Sequence, residues 1–267
     1  MKKIILFLLI IFSINSFSQS DWVNYIVKKE KGLMTISIDL DYNDSKPNYK
    51  NLLIVGTNYK DCLENGFPKK EGLNKLYAFS DSIARSLDRI TKNKLVGIIT
   101  YQCIGLDIYY VKDTMNIRDN FNELFKNNFN DSKNYMMIVK DKYWGYYFKN
   151  IYPFDVSNDY FMDQELLIEL ANEGDQLTGV RKIEHWVYHN NTKKREKFIK
   201  NIKKLDFSID SIYPKKDQIY QYEMLISRKD SVSPQSINRL TRLIKTLVYA
   251  SNGVYGGWSM EPKTEGY

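Results

Sequence analysis

Residues 180–189 read VRKIEHWVYH and allow little besides a two-sided strand. Arg181, Ile183, His185, Val187 and His189 fall on one side of an extended chain, and Lys182, Glu184, Trp186 and Tyr188 on the other. The β-branched and aromatic residues between them favour that state. The stretch also holds both histidines of the chain. A helical pattern precedes it: Met162 to Asn172 places Leu166, Leu167 and Leu170 on an apolar face, and Gly174 stands where a helix stops.

From Val180 onward the pattern is legible element by element. Thr192 is placed to cap a helix in which Phe198, Ile199, Ile202 and Leu205 face inward. Phe207 to Tyr213 and Ile219 to Arg228 read as two strands joined by a turn at 214–217. Ser233-Pro234 opens a last helix with Ile237, Leu240, Ile244, Leu247 and Val248 on its core side. Gly253 ends that helix, and Val254 to Met260 reads as a final strand. Strand, helix, strand, strand, helix, strand is the ferredoxin-like order: two helices on one face of a four-stranded antiparallel sheet. The helix at Met162 is an addition to it.

The first half is strand-rich α+β. Trp22 to Lys29, Leu33 to Tyr42 and Leu52 to Val55 read as strands, Leu73 to Ile90 as an amphipathic helix, and Leu95 to Cys103 with Leu106 to Lys112 as a hairpin broken at Gly105. Phe121 to Phe129 reads as a helix, and Tyr135 to Lys140 and Tyr143 to Phe148 as two further strands. The expected division is therefore α+β in two domains, 22–153 and 162–262, with a linker at 154–161.

Lys2 and Lys3, the apolar run Ile4 to Phe12, and Ser16-Phe17-Ser18 follow the three-part plan of a secretory signal peptide over residues 1–18, with Gln19 the first mature residue. The run is shorter than the roughly 20 residues that span a bilayer. The expectation is export to the periplasm or medium, with no transmembrane segment in the mature chain.

Few residues are placed for chemistry. His185 and His189 are four apart, which on a strand separates them by about 13 Å, too far to share a metal ion. Asp39, Asp41 and Asp44 lack the spacing and glycine of a calcium loop. Trp144, Tyr146 and Tyr147 read as sheet packing rather than a stacking platform. Asp175 and His185 are the one acid and base placed near each other. No GxSxG, HExxH or phosphate-binding loop occurs. Cys62 and Cys103 could pair in an exported protein, although the residues favour two separate buried thiols. The expectation is a protein without metal or cofactor, and not an enzyme, with an uncharacterised hydrolase using Asp175 and His185 as an alternative.

Net charge is +7, and the basic residues gather in one place. Lys193, Lys194, Arg195, Lys197, Lys200, Lys203 and Lys204 form the outer side of the fourth predicted helix, against the single acid Glu196. They read as a solvated face, with a nucleic-acid or other anionic partner as the alternative.

Two resemblances rest on short motifs. The WVNY strand, NGFP before a helix and WGYYFKNIYP resemble the domain-of-unknown-function 695 family over Trp22 to Pro153. A helix ending in Gly174-Asp175, then Arg181, His185, Trp186 and Tyr188, then Gly253, Tyr255, Gly257 and Trp258, is similar to the regulator of ribonuclease E activity B family over Asp163 to Glu261. That resemblance implies a small ferredoxin-like protein that inhibits an endoribonuclease by binding it. The family's closing motif carries Asp where this chain has Gly256. It further implies a binding surface drawn from Asp175, Arg181, His185, Trp186, Tyr188, Tyr255 and Trp258, with another protein as partner. Ribonuclease E is cytoplasmic, so an exported chain would meet a different target.

Overall fold

The computed structural model describes residues 22–41, 48–215 and 220–263. Residues 1–18, expected to be a signal peptide, Asp44 and part of the turn at 214–217 lie outside the described residues. The chain is α+β with two sheets.

The first sheet is built from β1 (Trp22–Lys29), β2 (Gly32–Asp39), β3 (Asn51–Asn58), β4 (Asn93–Tyr101), β5 (Ile104–Val111) and β6 (Asn134–Lys140). Their order is β1-β2-β4-β5-β3-β6, antiparallel throughout. Helices α1 (Lys70–Ile90) and α2 (Ile117–Asn128) cover one face, where Phe79, Ile83 and Leu87 of α1 pack with Leu53, Val55, Tyr109 and Phe121. The other face packs Ile36, Ile38, Leu52 and Ile108 against Trp144, Tyr147 and Ile151.

Two sequence expectations are corrected here. The β4–β5 turn sits at Gln102 and Cys103, not Gly105. Both turn residues are left-handed, with φ 51° and 59°, as a two-residue hairpin turn of matching twist requires. Residues 143–148 are not a strand. The Asp141 carboxylate accepts the backbone N–H of Gly145 at 2.7 Å and of Tyr146 at 2.8 Å, and the hydroxyl of Tyr110 at 2.7 Å. That side chain gives the backbone an alternative to ladder bonds, and a π-helical turn at Tyr147–Ile151 follows. Trp144 stacks on Tyr110 at 4.1 Å between ring centres, so the aromatic run is packing, as read.

A third correction concerns the cysteines. Cys62 and Cys103 form a disulfide, with Cα atoms 5.8 Å apart and a sequence separation of 41. The hairpin tip carrying Cys103 folds back onto the loop before α1. There the Cys103 N–H donates to the carbonyl of Gly66, and its carbonyl accepts from the N–H of Tyr59.

The second sheet contains β7 (Val180–His189), β8 (Ser208–Pro214), β9 (Tyr222–Ser231) and β10 (Val254–Ser259), in the order β10-β7-β9-β8. Helices α4 (Thr192–Lys203) and α5 (Pro234–Tyr249) lie on one face, so the ferredoxin-like arrangement is present. Asn191 rather than Thr192 caps α4, accepting from the N–H of Lys194.

The added helix, α3 (Asn158–Asn172), joins the halves. It begins inside the stretch expected to be a linker, and its first turns place Tyr160 and Phe161 in the core of the first sheet. Further along, Leu167, Leu170 and Ala171 pack in one cluster with Ile183, Val187 and Ile244 of the second unit and with Ile26, Leu33 and Phe67 of the first. Gln164 accepts the N–H of Ile26 at 3.0 Å and so covers part of the β1 edge.

Candidate functional site

Strand β7 sorts the candidate residues by parity. Ile183, His185, Val187 and His189 face the helices and are buried, while Lys182, Glu184, Trp186 and Tyr188 face away from them. The residues proposed from the sequence therefore divide between two sides of one sheet.

On the inner side three polar locks recur. Asp175 is 1% exposed, and its carboxylate takes both terminal nitrogens of Arg181, one at 2.9 Å. It also accepts the N–H groups of Leu177 at 2.7 Å and Lys263 at 2.8 Å. Burial alone would raise this carboxyl. The hydrogen bond from Arg181 and the two backbone donors outweigh burial and hold the carboxyl below the ordinary carboxylate range. Arg181 further donates to the carbonyl of Glu261, so the pair fastens the chain after β10.

His185 is fully buried. Its Nδ1 is 2.8 Å from the Tyr255 hydroxyl, and its ring meets Phe207 edge-on. Burial, reinforced by the Arg228 charge, pushes its pKa down to about 3, so the ring is neutral at physiological pH. Its Nε2 is buried without a hydrogen-bond partner among the described residues. Asp175 and His185 are thus not an acid–base pair, since each bonds a different neighbour.

The third lock is Asp163 on α3, a residue the sequence reading passed over. It accepts the indole N–H of Trp258 at 2.9 Å and the hydroxyl of Thr241 at 2.5 Å. Burial raises its pKa, opposed by the hydrogen bonds from Thr241 and Trp258. A signal was there: Asp163 stands one turn before Leu167 and two before Leu170, an acid on the apolar face of its helix.

His189 repeats the arrangement of His185. It is fully buried, 2.9 Å from the Ser251 hydroxyl, with burial and the Arg195 charge lowering its pKa to about 4. The backbone passes so close at Gly253 that a Cβ there would lie 2.7 Å from His189 Nε2. No group of three or more His, Cys, Asp or Glu side chains among the described residues could hold a metal ion. Asp39, from the aspartate cluster, is instead ion-paired to Lys94 at 3.1 Å.

The outer side is different in character. Trp186 stands opposite Leu225 of β9, and Tyr188 opposite Glu223. Tyr188 also meets the Tyr220 ring at 5.9 Å. Around this apolar centre lie ion pairs: Lys182 with Glu184 at 2.8 Å and with Asp210 at 2.9 Å, and Lys215 with Glu223 at 2.9 Å. Among the described residues no helix of the second unit covers this face; α4 and α5 are on the other. Gly256 lies at a register shift in β10 and carries the Tyr188 ring, since a Cβ at 256 would sit 2.3 Å from Tyr188 Cε2.

The basic residues lie apart from both sets. Lys193, Lys194, Lys197, Lys200, Lys203 and Lys204 are exposed on α4, while Arg195 turns aside to place its guanidinium 4.2 Å from the Tyr222 ring centre. No helix among the described residues is long and apolar enough to cross a membrane.

Comparison with known proteins divides the chain where the sequence motifs do. No curated protein matches it. Among the solved structures that match are two. One is a candidate glycine cleavage system transcriptional repressor, 12% identical, covering 80% of this chain and 100% of that one at a TM-score of 0.24. The other is an unknown protein from Galdieria sulphuraria, 9% identical, covering 80% and 99% at a TM-score of 0.20. Residues 20–152 match the family of unknown function DUF695, and residues 162–260 match Regulator of ribonuclease activity B. The chain thus joins a first half similar to DUF695 to a second half similar to Regulator of ribonuclease activity B.

Proposed function

We propose that this protein is a regulator that acts by binding another protein, and that the contact is made on the outer face of the second sheet. The observation that carries this reading is the outer face itself. It has an aromatic and aliphatic centre at Trp186, Tyr188 and Leu225, ringed by the Lys182 and Lys215 ion pairs, with no helix over it among the described residues. An apolar centre with a polar rim is the usual build of a protein interface, and Trp and Tyr are its usual anchors. In this reading Asp175, Arg181, His185, Tyr255 and Trp258 act from beneath, fixing the strands that present the outer side chains.

Catalysis is not part of the proposal. Both histidines are buried and neutral, and each is bonded to a hydroxyl. With the leader at residues 1–18 the chain is exported, so the partner is an envelope or extracellular protein rather than a cytoplasmic ribonuclease.

The test is recovery of native complexes with the full-length chain and with Trp186→Ala/Tyr188→Ala, alongside thermal melts of both. The expected result is a defined partner lost by the double variant, whose fold persists. Retention of that partner by a folded double variant would overturn the assignment of this face.

A further inference from the structure

Helix α4 is an electrostatic misfit that the fold itself does not explain. Lys193, Lys197, Lys200 and Lys204 recur at i, i+4, i+7 and i+11, a single line about 16 Å long. Lys194 and Lys203 flank it, and all six are exposed. Lys75, Lys94, Lys182, Lys215 and Lys245 each find a carboxylate, whereas no α4 lysine does so among the described residues. The first turn of α4 holds no acid, so Lys193 and Lys194 stand against the positive end of the helix dipole. An external anion would relieve that repulsion.

The form of the face narrows the anion. Its one aromatic residue, Phe198, is buried with Ile202, so no ring is offered for base stacking and no apolar side for insertion. Its one guanidinium lies over Tyr222 and is not presented as a fork for paired recognition of carboxylate or base edges. What remains is a convex row of flexible point charges, suited to a plane of phosphates. We propose that α4 docks the protein on an anionic lipid surface, on the opposite side of the second sheet from Trp186 and Tyr188. The proposal stands independently of the protein partner, because the two faces share no residue.

The experiment is co-sedimentation of the full chain with phosphatidylglycerol-containing vesicles and with neutral phosphatidylcholine vesicles. The neutral arm measures any uptake by the apolar N-terminal run. The expected result is extra binding to anionic vesicles only, falling steeply as salt rises from about 0.1 M to about 0.5 M. Each Lys→Gln change on the line should lower it by about fivefold. Single variants at Lys193 and Lys200 read this even if the quadruple variant misfolds, and Lys→Arg variants should retain binding. Equal uptake by neutral vesicles, or undiminished binding by the Lys→Gln variants, would overturn the proposal. Tight binding to duplex DNA without binding to anionic vesicles would replace it with a nucleic-acid role.

Discussion

Asn65 Nδ2 donates to the carbonyl of Asp175 at 3.1 Å, a hydrogen bond between residues 110 apart. The same amide donates to the carbonyl of Ala171 at 2.6 Å, and its Oδ1 accepts the N–H of Phe67 at 3.0 Å. Asn65 and Phe67 belong to the NGFP motif of the first half, and Ala171 and Asp175 to the second. The motif thus holds the loop that closes α3 and, through Phe67, enters the core both halves share. Asn65→Ala should lower stability by about 2–4 kcal/mol, since it removes these bonds and leaves the Asp175 carbonyl and the Phe67 N–H without their partner. Calorimetry of the wild type should show one transition, because the core is common. Two well-separated transitions would contradict the joint core.

The disulfide closes a loop across the same region. Linking residues 41 apart should contribute about 4 kcal/mol by restricting the unfolded chain. Denaturant midpoints measured with and without a reductant, and for Cys62→Ser/Cys103→Ser, should differ by that order. Coincident midpoints would show the link to be energetically idle.

Stability should depend on pH in two opposite senses. His185 and His189 have folded pKa values near 3 and 4, below the ordinary value of 6.5. Between those limits the unfolded chain binds more protons than the folded one, so stability falls as pH drops through that window. Asp107 behaves in reverse. It is buried between β5 and α1, bonded among the described residues to the Ser80 hydroxyl at 3.0 Å, and burial raises its pKa to about 7. Below its unfolded value of 3.8 it adds no penalty, and the penalty grows as pH rises toward 7. Asp107→Asn should therefore stabilise the protein at pH about 8 by at least about 1 kcal/mol, and His185→Gln should flatten the acid limb. Melting curves across pH check both, and unchanged limbs in both variants would contradict the burial argument.

At Gly256 a side chain should be unwelcome. Gly256→Asp drives a Cβ into the Tyr188 ring, and overpacking of this kind costs about 1–3 kcal/mol. Tyr188→Ala should recover most of that loss, which a double-mutant cycle measures. Additive losses would mean that the ring and the glycine are not matched.

Much of the second unit was legible because its periods are clean. Val180–His189 is a strand at the residues where alternation placed it, and the order of elements after it follows the turn and cap signals. The first half misled where one side chain overrode propensity. Tyr143 to Phe148 has strand composition, but Asp141 bonds the backbone into a turn. The disulfide and the Asn65 contacts depend on approach in space, which spacing along the chain does not encode. The site was legible by residue but not by side. Parity along β7 separated Trp186 and Tyr188 from His185, yet only the position of the helices decides which side stays open.

The account turns on that open side, and site-specific photo-cross-linking in native cells tests it most directly. A cross-linker at residue 186 or 225 should give one defined protein adduct, and a cross-linker at the exposed Tyr77 of α1 should not. Adducts at residue 77 with none at 186 or 225 would contradict the assignment and move the contact to the first half.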